Sequence, residues 1–238
     1  MVNHEHKFVF LHIPKTAGMS VGRTLYKMLG IEERYEGFKI HHDDLTKDIL
    51  ENYYIFTFVR NPWDRLYSSY KFRDWLYEYY SFNSVVPNIE KHFEVYFNAK
   101  IIAPDKHEHK VVKMETALQR ADYYGEFVHL PSQVQYLKGK YNDEIDKFPY
   151  INYIGRLETI QEDFDNICKE IGLPQTELLR ENVSIPGKVD YWTNPNEPKE
   201  IKHYSQIYSK ENIEFVRTKY ADDIKKFNYD YKDINTVL

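Results

Sequence analysis

Three short stretches of the chain carry side chains suited to chemistry on an anion: PKTAGMS at 14–20, KIHHDDL at 39–45 and VRNPWDRLYSSY at 59–70. In the first, an apolar run breaks into a tight turn and then a helix. The backbone N–H groups of Thr16, Ala17, Gly18, Met19 and Ser20 stand at that helix's N-terminus, where the dipole favours negative charge. Gly18 permits a close approach. Lys15 supplies a mobile point charge able to follow an oxygen that becomes more negative as a bond breaks. Thr16 and Ser20 add hydroxyls. The order is not that of an ordinary nucleotide-triphosphate loop, because Lys15 precedes Gly18 by three positions instead of following a glycine. The same residues also read as a plain strand-to-helix turn with a solvated lysine.

The third stretch offers a second anion site. Arg60 ends an apolar strand and Ser68 follows eight residues later, on a similar face of a helix that starts at Pro62. A guanidinium and a hydroxyl converging on one point suit a terminal phosphate. Arg65 is a further cation there, with Asp64 beside it to neutralise it; an N-capped helix with Arg and Ser facing water is the alternative. Between the two sites, His41 and His42 are suited to removing a proton near neutral pH, with Asp43 or Asp44 able to hold a tautomer. They read equally as a surface pair, and adjacent histidines followed by two acids are not a metal-ligand spacing. His107 and His109 read as a solvated charged loop, the Asn182 sequon has no meaning without secretion, and Cys168 falls beside the apolar stripe of a helix.

Positioning these groups requires alternating strands and helices. Strands are predicted at Lys7–Ile13, Tyr53–Val59 and Tyr150–Ile154. A helix carries Val21, Leu25 and Met28 on one face and closes at Gly30. Asn61 as N-cap and Pro62 as first residue start another, with Trp63, Leu66 and Tyr70 at helical spacing. Thr159 and Glu162 form a capping box for a helix with Ile160, Phe164, Ile167 and Ile171 on its apolar face, ended by Gly172 and Pro174. Some helix is expected around Ile89–Phe97, a loop over 182–200, and one last helix after Ser209 with Ile213, Val216, Tyr220, Ile224 and Phe227 as its stripe. The alternation predicts a mainly parallel sheet covered on both faces, with both anion sites opening on the edge beyond the strands' carboxyl ends.

The chain has 238 residues, enough for one α/β domain with an ample core. Aromatic residues make up 16%, and Tyr alone contributes 22, a composition of a folded chain. A formal net charge of −5 argues against a general nucleic-acid binder. The single cysteine allows no intrachain disulfide. No segment reaches the length of a membrane span, so a cytoplasmic protein is expected; a chain trimmed of a tether reads the same way.

FLHIPKTAGMS, KIHHDDL and FTFVRNPWDRLYSSY, in this order, resemble the carbohydrate sulfotransferases of the family 2 type, a group that includes heparan sulfate 2-O-sulfotransferase. YIGRLETIQEDF and the tail from His203 extend the resemblance over nearly the whole chain, so residues 1–238 are expected to form one domain. The resemblance implies a P-loop-like three-layer α/β sandwich with helices on both faces. It implies 3′-phosphoadenosine 5′-phosphosulfate as donor, its 5′-phosphosulfate held by residues 15–20 and its 3′-phosphate by Arg60 and Ser68. His42, or His41 in its place, becomes the general base toward a carbohydrate hydroxyl, and Lys15 stabilises the leaving oxygen. No metal is needed, since the leaving group is already good. Arg156 is a weaker candidate for lining the cleft. Animal members are membrane-anchored, which points this chain toward the soluble bacterial or viral members. A small-molecule kinase with a degenerate phosphate loop, which would need Mg²⁺ and ATP, and a non-catalytic nucleotide- or glycan-binding protein are the rival readings.

Overall fold

The computed structural model describes residues 1–31, 45–71, 86–88, 130–138, 146–180, 189–190, 199–200 and 203–231. The chain divides into two compact units, Met1–Asn61 with Ser132–Val183 and Lys225–Asn228, and Pro62–Pro131 with Ser184–Ile224 and Tyr229–Leu238.

The first unit is built on a four-stranded sheet of order β1 (Val2–Asn3), β2 (Phe8–Leu11), β3 (Tyr54–Val59) and β4 (Ile151–Arg156). β1 pairs antiparallel with β2, while β2, β3 and β4 run parallel. The expected strands are present, each a little shorter or shifted. Alternation explains the layering. Phe8 and Phe10 on β2 and Phe56 and Phe58 on β3 face one side and are fully buried with Val21 and Leu25 of α1 (Gly18–Met28) and Phe164, Ile167 and Cys168 of α5 (Ile160–Glu170). The phenyl rings stack across the ladder, Phe10 on Phe56 at 5.3 Å between centroids. Each buried phenylalanine contributes roughly 1.5–3 kcal/mol. The opposite face of these two strands, Val9, Leu11, Ile55, Thr57 and Val59, is equally buried, so neither side of β2 and β3 meets water, whereas β4 is only partly covered and exposes Asn152. The architecture is the α/β, mainly parallel arrangement that the strand and helix pattern predicts, and it fits the P-loop-like fold that the resemblance implies.

Some boundaries differ from expectation. The stretch before β3 contains α2 (Lys47–Asn52), capped by Thr46, whose hydroxyl accepts from the Ile49 N–H at 3.3 Å. At the start of α5 the expected capping box does not form: the Thr159 hydroxyl instead donates to Asp163 at 2.7 Å, a carboxylate that also accepts from the Tyr153 hydroxyl in the middle of β4 and from the Arg156 N–H at its end. The expected stop at Gly172 is present, with φ +71°.

In the second unit, α3 (Pro62–Lys71) starts at the expected proline and buries Trp63, Leu66, Tyr67 and Tyr70 with Val86, Leu130, Tyr204, Val216 and Tyr220. Here the many tyrosines act as cross-links: the hydroxyls of Tyr208, Tyr220 and Tyr231 donate to the carbonyls of Trp63, Leu130 and Ser205 at 2.8–2.9 Å. Each such ring buries apolar area and satisfies a backbone acceptor at once. Where one last helix was expected, Tyr220 breaks it into α6 (Lys210–Lys219) and α7 (Ala221–Phe227). A two-residue antiparallel pair, β5 (Val189–Asp190) with β6 (Lys199–Glu200), lies in the stretch expected to be loop. The helix expected around Ile89–Phe97 lies outside the described residues.

Candidate functional site

β2 delivers the chain to the loop at 13–20. Its even positions, Phe8 and Phe10, point to the face that receives α1, and His12, one residue beyond the strand's end, follows them in the alternation. The His12 ring lies against the start of that helix. A Cβ on Gly18 would sit 1.9 Å from its Cδ2 and 2.0 Å from its Nε2. Gly18 itself is helical; the left-handed residues are Lys15, φ 70°, and Ala17, φ 63°. The glycine therefore makes room for an imidazole, while the tight turn is carried by two residues that pay a steric cost of roughly 1–2 kcal/mol each for it. Strain of this kind persists only where the surroundings enforce it, and it gathers at ligand sites.

The loop's polar groups divide sharply. The Thr16 side chain is fully buried and its hydroxyl donates to the Ile13 carbonyl at 2.7 Å, which closes the turn and leaves the N–H as the group it can offer a ligand. Ala17 is the N-cap and brings no side-chain cap. Among the described residues no backbone group accepts from the N–H of Thr16, Ala17, Gly18 or Met19; the first helical bond formed here runs from Val21 N–H to the Ala17 carbonyl at 3.1 Å. Four consecutive donors at a helix start are the basis of an anion cradle. Ser20 is buried on α1, and Met19 packs against the aromatic core.

Burial pushes the His12 imidazole down to about 4, and the Met1 ammonium and Lys15 act in the same direction. At neutral pH the ring is uncharged. The sequence reading passed over His12; the signal available was the strand alternation, which puts position 12 on the helix-facing side two residues after Phe10.

β3, hydrogen-bonded to β2 with Leu11 opposite Thr57, ends beside this loop. The next residue is Arg60, partly buried, and its Nη1 donates to the Lys15 carbonyl at 3.1 Å. The two cations expected on one edge of the sheet are thus brought together through the carbonyl of the strained lysine. The Arg60 main chain is held by Gln133 on α4 (Gln133–Leu137), and the Asn61 N–H donates to Glu158 Oε1 at 2.8 Å. Neither Gln133 nor Glu158 was picked out from the sequence, since their partners are distant main-chain atoms.

Other expected residues fall elsewhere. Ser68 lies on α3, in the second unit, partly buried. Arg65 on the same helix is buried and donates to the Pro131 carbonyl at 2.9 Å. An Arg156 guanidinium nitrogen donates to the Phe227 carbonyl and so ties β4 to the end of α7. Cys168 is fully buried, and burial raises its thiol to about 11, out of the reactive range. His41, His42, His107, His109 and Asn182 lie outside the described residues. Among the described residues no group of three or more His, Cys, Asp or Glu side chains is placed to hold a metal ion. Nor is any described helix long and apolar enough to cross a membrane.

Comparison with curated proteins and with solved structures returned no match. The model of the sulfotransferase family matches residues 1–230, almost the full length. With a strand–loop–helix turn whose first N–H groups have no described backbone acceptor, a lysine and an arginine beside it, and a mainly parallel sheet beneath them, the chain belongs to the sulfotransferase family, of the family 2 type.

Proposed function

We propose that the chain transfers a sulfuryl group from 3′-phosphoadenosine 5′-phosphosulfate to a hydroxyl of a carbohydrate or glycoconjugate. The observation that carries this reading is the pairing of the loop's four N–H donors, Thr16 to Met19, with two cations, Lys15 and Arg60, joined through the Lys15 carbonyl. That donor set fits a ligand with two anionic groups: it is cationic, rich in backbone N–H, and holds no carboxylate between residues 12 and 20.

The donor supplies an activated sulfuryl group on a phosphate that leaves readily. The protein's share is positioning and charge. The N–H groups of residues 16–20 hold the 5′ side, and Lys15 places its ammonium where negative charge grows on the leaving oxygen. Arg60 takes the 3′-phosphate. His42 removes the proton of the acceptor hydroxyl, with His41 as the other candidate, and Arg156 is assigned a supporting role. No step in this scheme calls for a metal.

Calorimetric titration of 3′-phosphoadenosine 5′-phosphate without metal, on wild type and Arg60→Ala, tests the reading, with ATP–Mg²⁺ as the comparison. Micromolar binding of the bisphosphate that weakens by about 10- to 100-fold in the variant is expected, the range of hydrogen bonds to a charged group. Binding of ATP–Mg²⁺ and not of the bisphosphate would sink it in favour of a kinase.

A further inference from the structure

We propose that Gln133 is a positioning residue that sets Arg60 for recognition of the donor's 3′-phosphate; this rests on the donor reading above. Arg60 lies one residue beyond β3, and the ladder to β4 ends at the pair Val59 with Arg156. A backbone that has left the sheet still needs partners for its N–H and C=O. Gln133 supplies both. Its Oε1 accepts from the Arg60 N–H at 2.8 Å and its Nε2 donates to the Arg60 carbonyl at 2.9 Å. The two bonds reproduce the reciprocal pair that a neighbouring strand would make, but from one side-chain amide.

The amide is presented rigidly. Gln133 is fully buried and is the first residue of α4, whose start is closed by a reciprocal box: Ser132 Oγ accepts from the Gln135 N–H at 3.2 Å, and Gln135 Oε1 from the Ser132 N–H at 2.9 Å. The far end is fastened by the bond from Lys147 N–H to the Leu137 carbonyl, 2.8 Å. On the other flank, Glu158 holds the Asn61 N–H at 2.8 Å. The point from which the Arg60 side chain departs is thus gripped from two separate segments. A glutamate at 133 could accept from the N–H but not donate to the carbonyl, and a methionine could do neither. Since Gln133 contacts the Arg60 main chain, its effect on a ligand passes through Arg60. Misplacement of a binding group by about 1 Å is enough to cost a large factor in binding or rate.

The test compares full-length wild type, Gln133→Met and Gln133→Glu in two readouts. One is hydrogen exchange of the Arg60 amide without ligand. The other is affinity for 3′-phosphoadenosine 5′-phosphate against adenosine 5′-phosphosulfate, which lacks the 3′-phosphate. Gln133→Met is expected to speed exchange at Arg60 and to weaken the bisphosphate by about tenfold, with the phosphosulfate changed by less than about twofold. Gln133→Glu, which keeps the acceptor, should retain exchange protection yet still weaken the bisphosphate, and it serves alone if the methionine variant does not fold. Equal weakening of both ligands would mean general loosening and overturn the inference, as would a bisphosphate affinity that does not change. Failure of wild type to bind the bisphosphate would instead overturn the donor reading, and the inference with it, even with altered exchange at Arg60.

Discussion

The loop from Ile13 to Ser20 and the turn at Arg60–Asn61 both leave a parallel strand of the same sheet, yet they are built on opposite plans. The first keeps four backbone N–H groups out of the described hydrogen-bond network and accepts two left-handed residues to do so. The second has its main-chain N–H groups taken by two side chains, the buried Gln133 and the exposed Glu158. On the proposed reading, one site offers its backbone to a ligand and the other immobilises its backbone so that a side chain can be offered. The difference follows from the anion-binding group proposed for each. A row of N–H dipoles is useful only while available, whereas a guanidinium on a long flexible stem is useful only when its root is fixed.

The comparison can be broken most severely at Lys15. Lys15→Ala should slow transfer by on the order of 10²–10⁴ while leaving the melting temperature nearly unchanged, because the loop's shape comes from backbone and Thr16 rather than from the ammonium. Steady-state rates beside thermal melts check this, and an equal loss in both would contradict it. Next comes Gly18→Ala, whose methyl would overlap the His12 ring. A stability loss of roughly 1–3 kcal/mol is expected, partly recovered in the double variant with His12→Ala; denaturant melts of the three proteins close the cycle.

A smaller effect sharpens the contrast through pH. His12 titrates at about 4 in the folded chain, against an ordinary value of 6.5. Below 6.5 the unfolded chain takes up a proton that the folded chain refuses, so this residue's stabilising contribution is complete at neutral pH and is lost as pH falls from 6.5 toward 4. His12→Gln should flatten that part of the curve of melting temperature against pH; parallel curves for the two proteins would remove His12 from the account. The least effect belongs to Glu158→Gln. The amide oxygen can still accept from the Asn61 N–H, so the change should stay below about 1 kcal/mol, whereas Glu158→Leu, which strands a buried donor, should exceed it. Paired denaturant melts decide between these.

Much of this was legible in the chain itself. The near-continuous apolar runs FVFL and YIFTFV, rich in aromatic and β-branched residues, announce strands buried on both faces, and the change of period at Gly18 and at Pro62 announces helices, since local sterics and burial act within a few residues. The strand–loop–helix turn at 13–20 was legible for the same reason, since its shape is set by its own backbone. The tyrosine cross-links of the second unit were not, because a hydroxyl such as that of Tyr220 finds its carbonyl at Leu130, 90 residues away. Nor was the break at Tyr220, where an unbroken apolar stripe promised a single helix.

The roles assigned to individual residues follow the same division. Residue types and spacing determined by themselves that Lys15 and Arg60 would stand at the ends of adjacent parallel strands, because chain direction and strand length are set locally. The Thr16 hydroxyl that closes the first turn and the His12 ring that Gly18 admits are contacts within the loop itself, three and six residues apart. Tertiary structure alone decided that Gln133 and Glu158 hold the second junction, since those bonds join groups 73 and 97 positions apart and form only when the sheet brings the segments side by side.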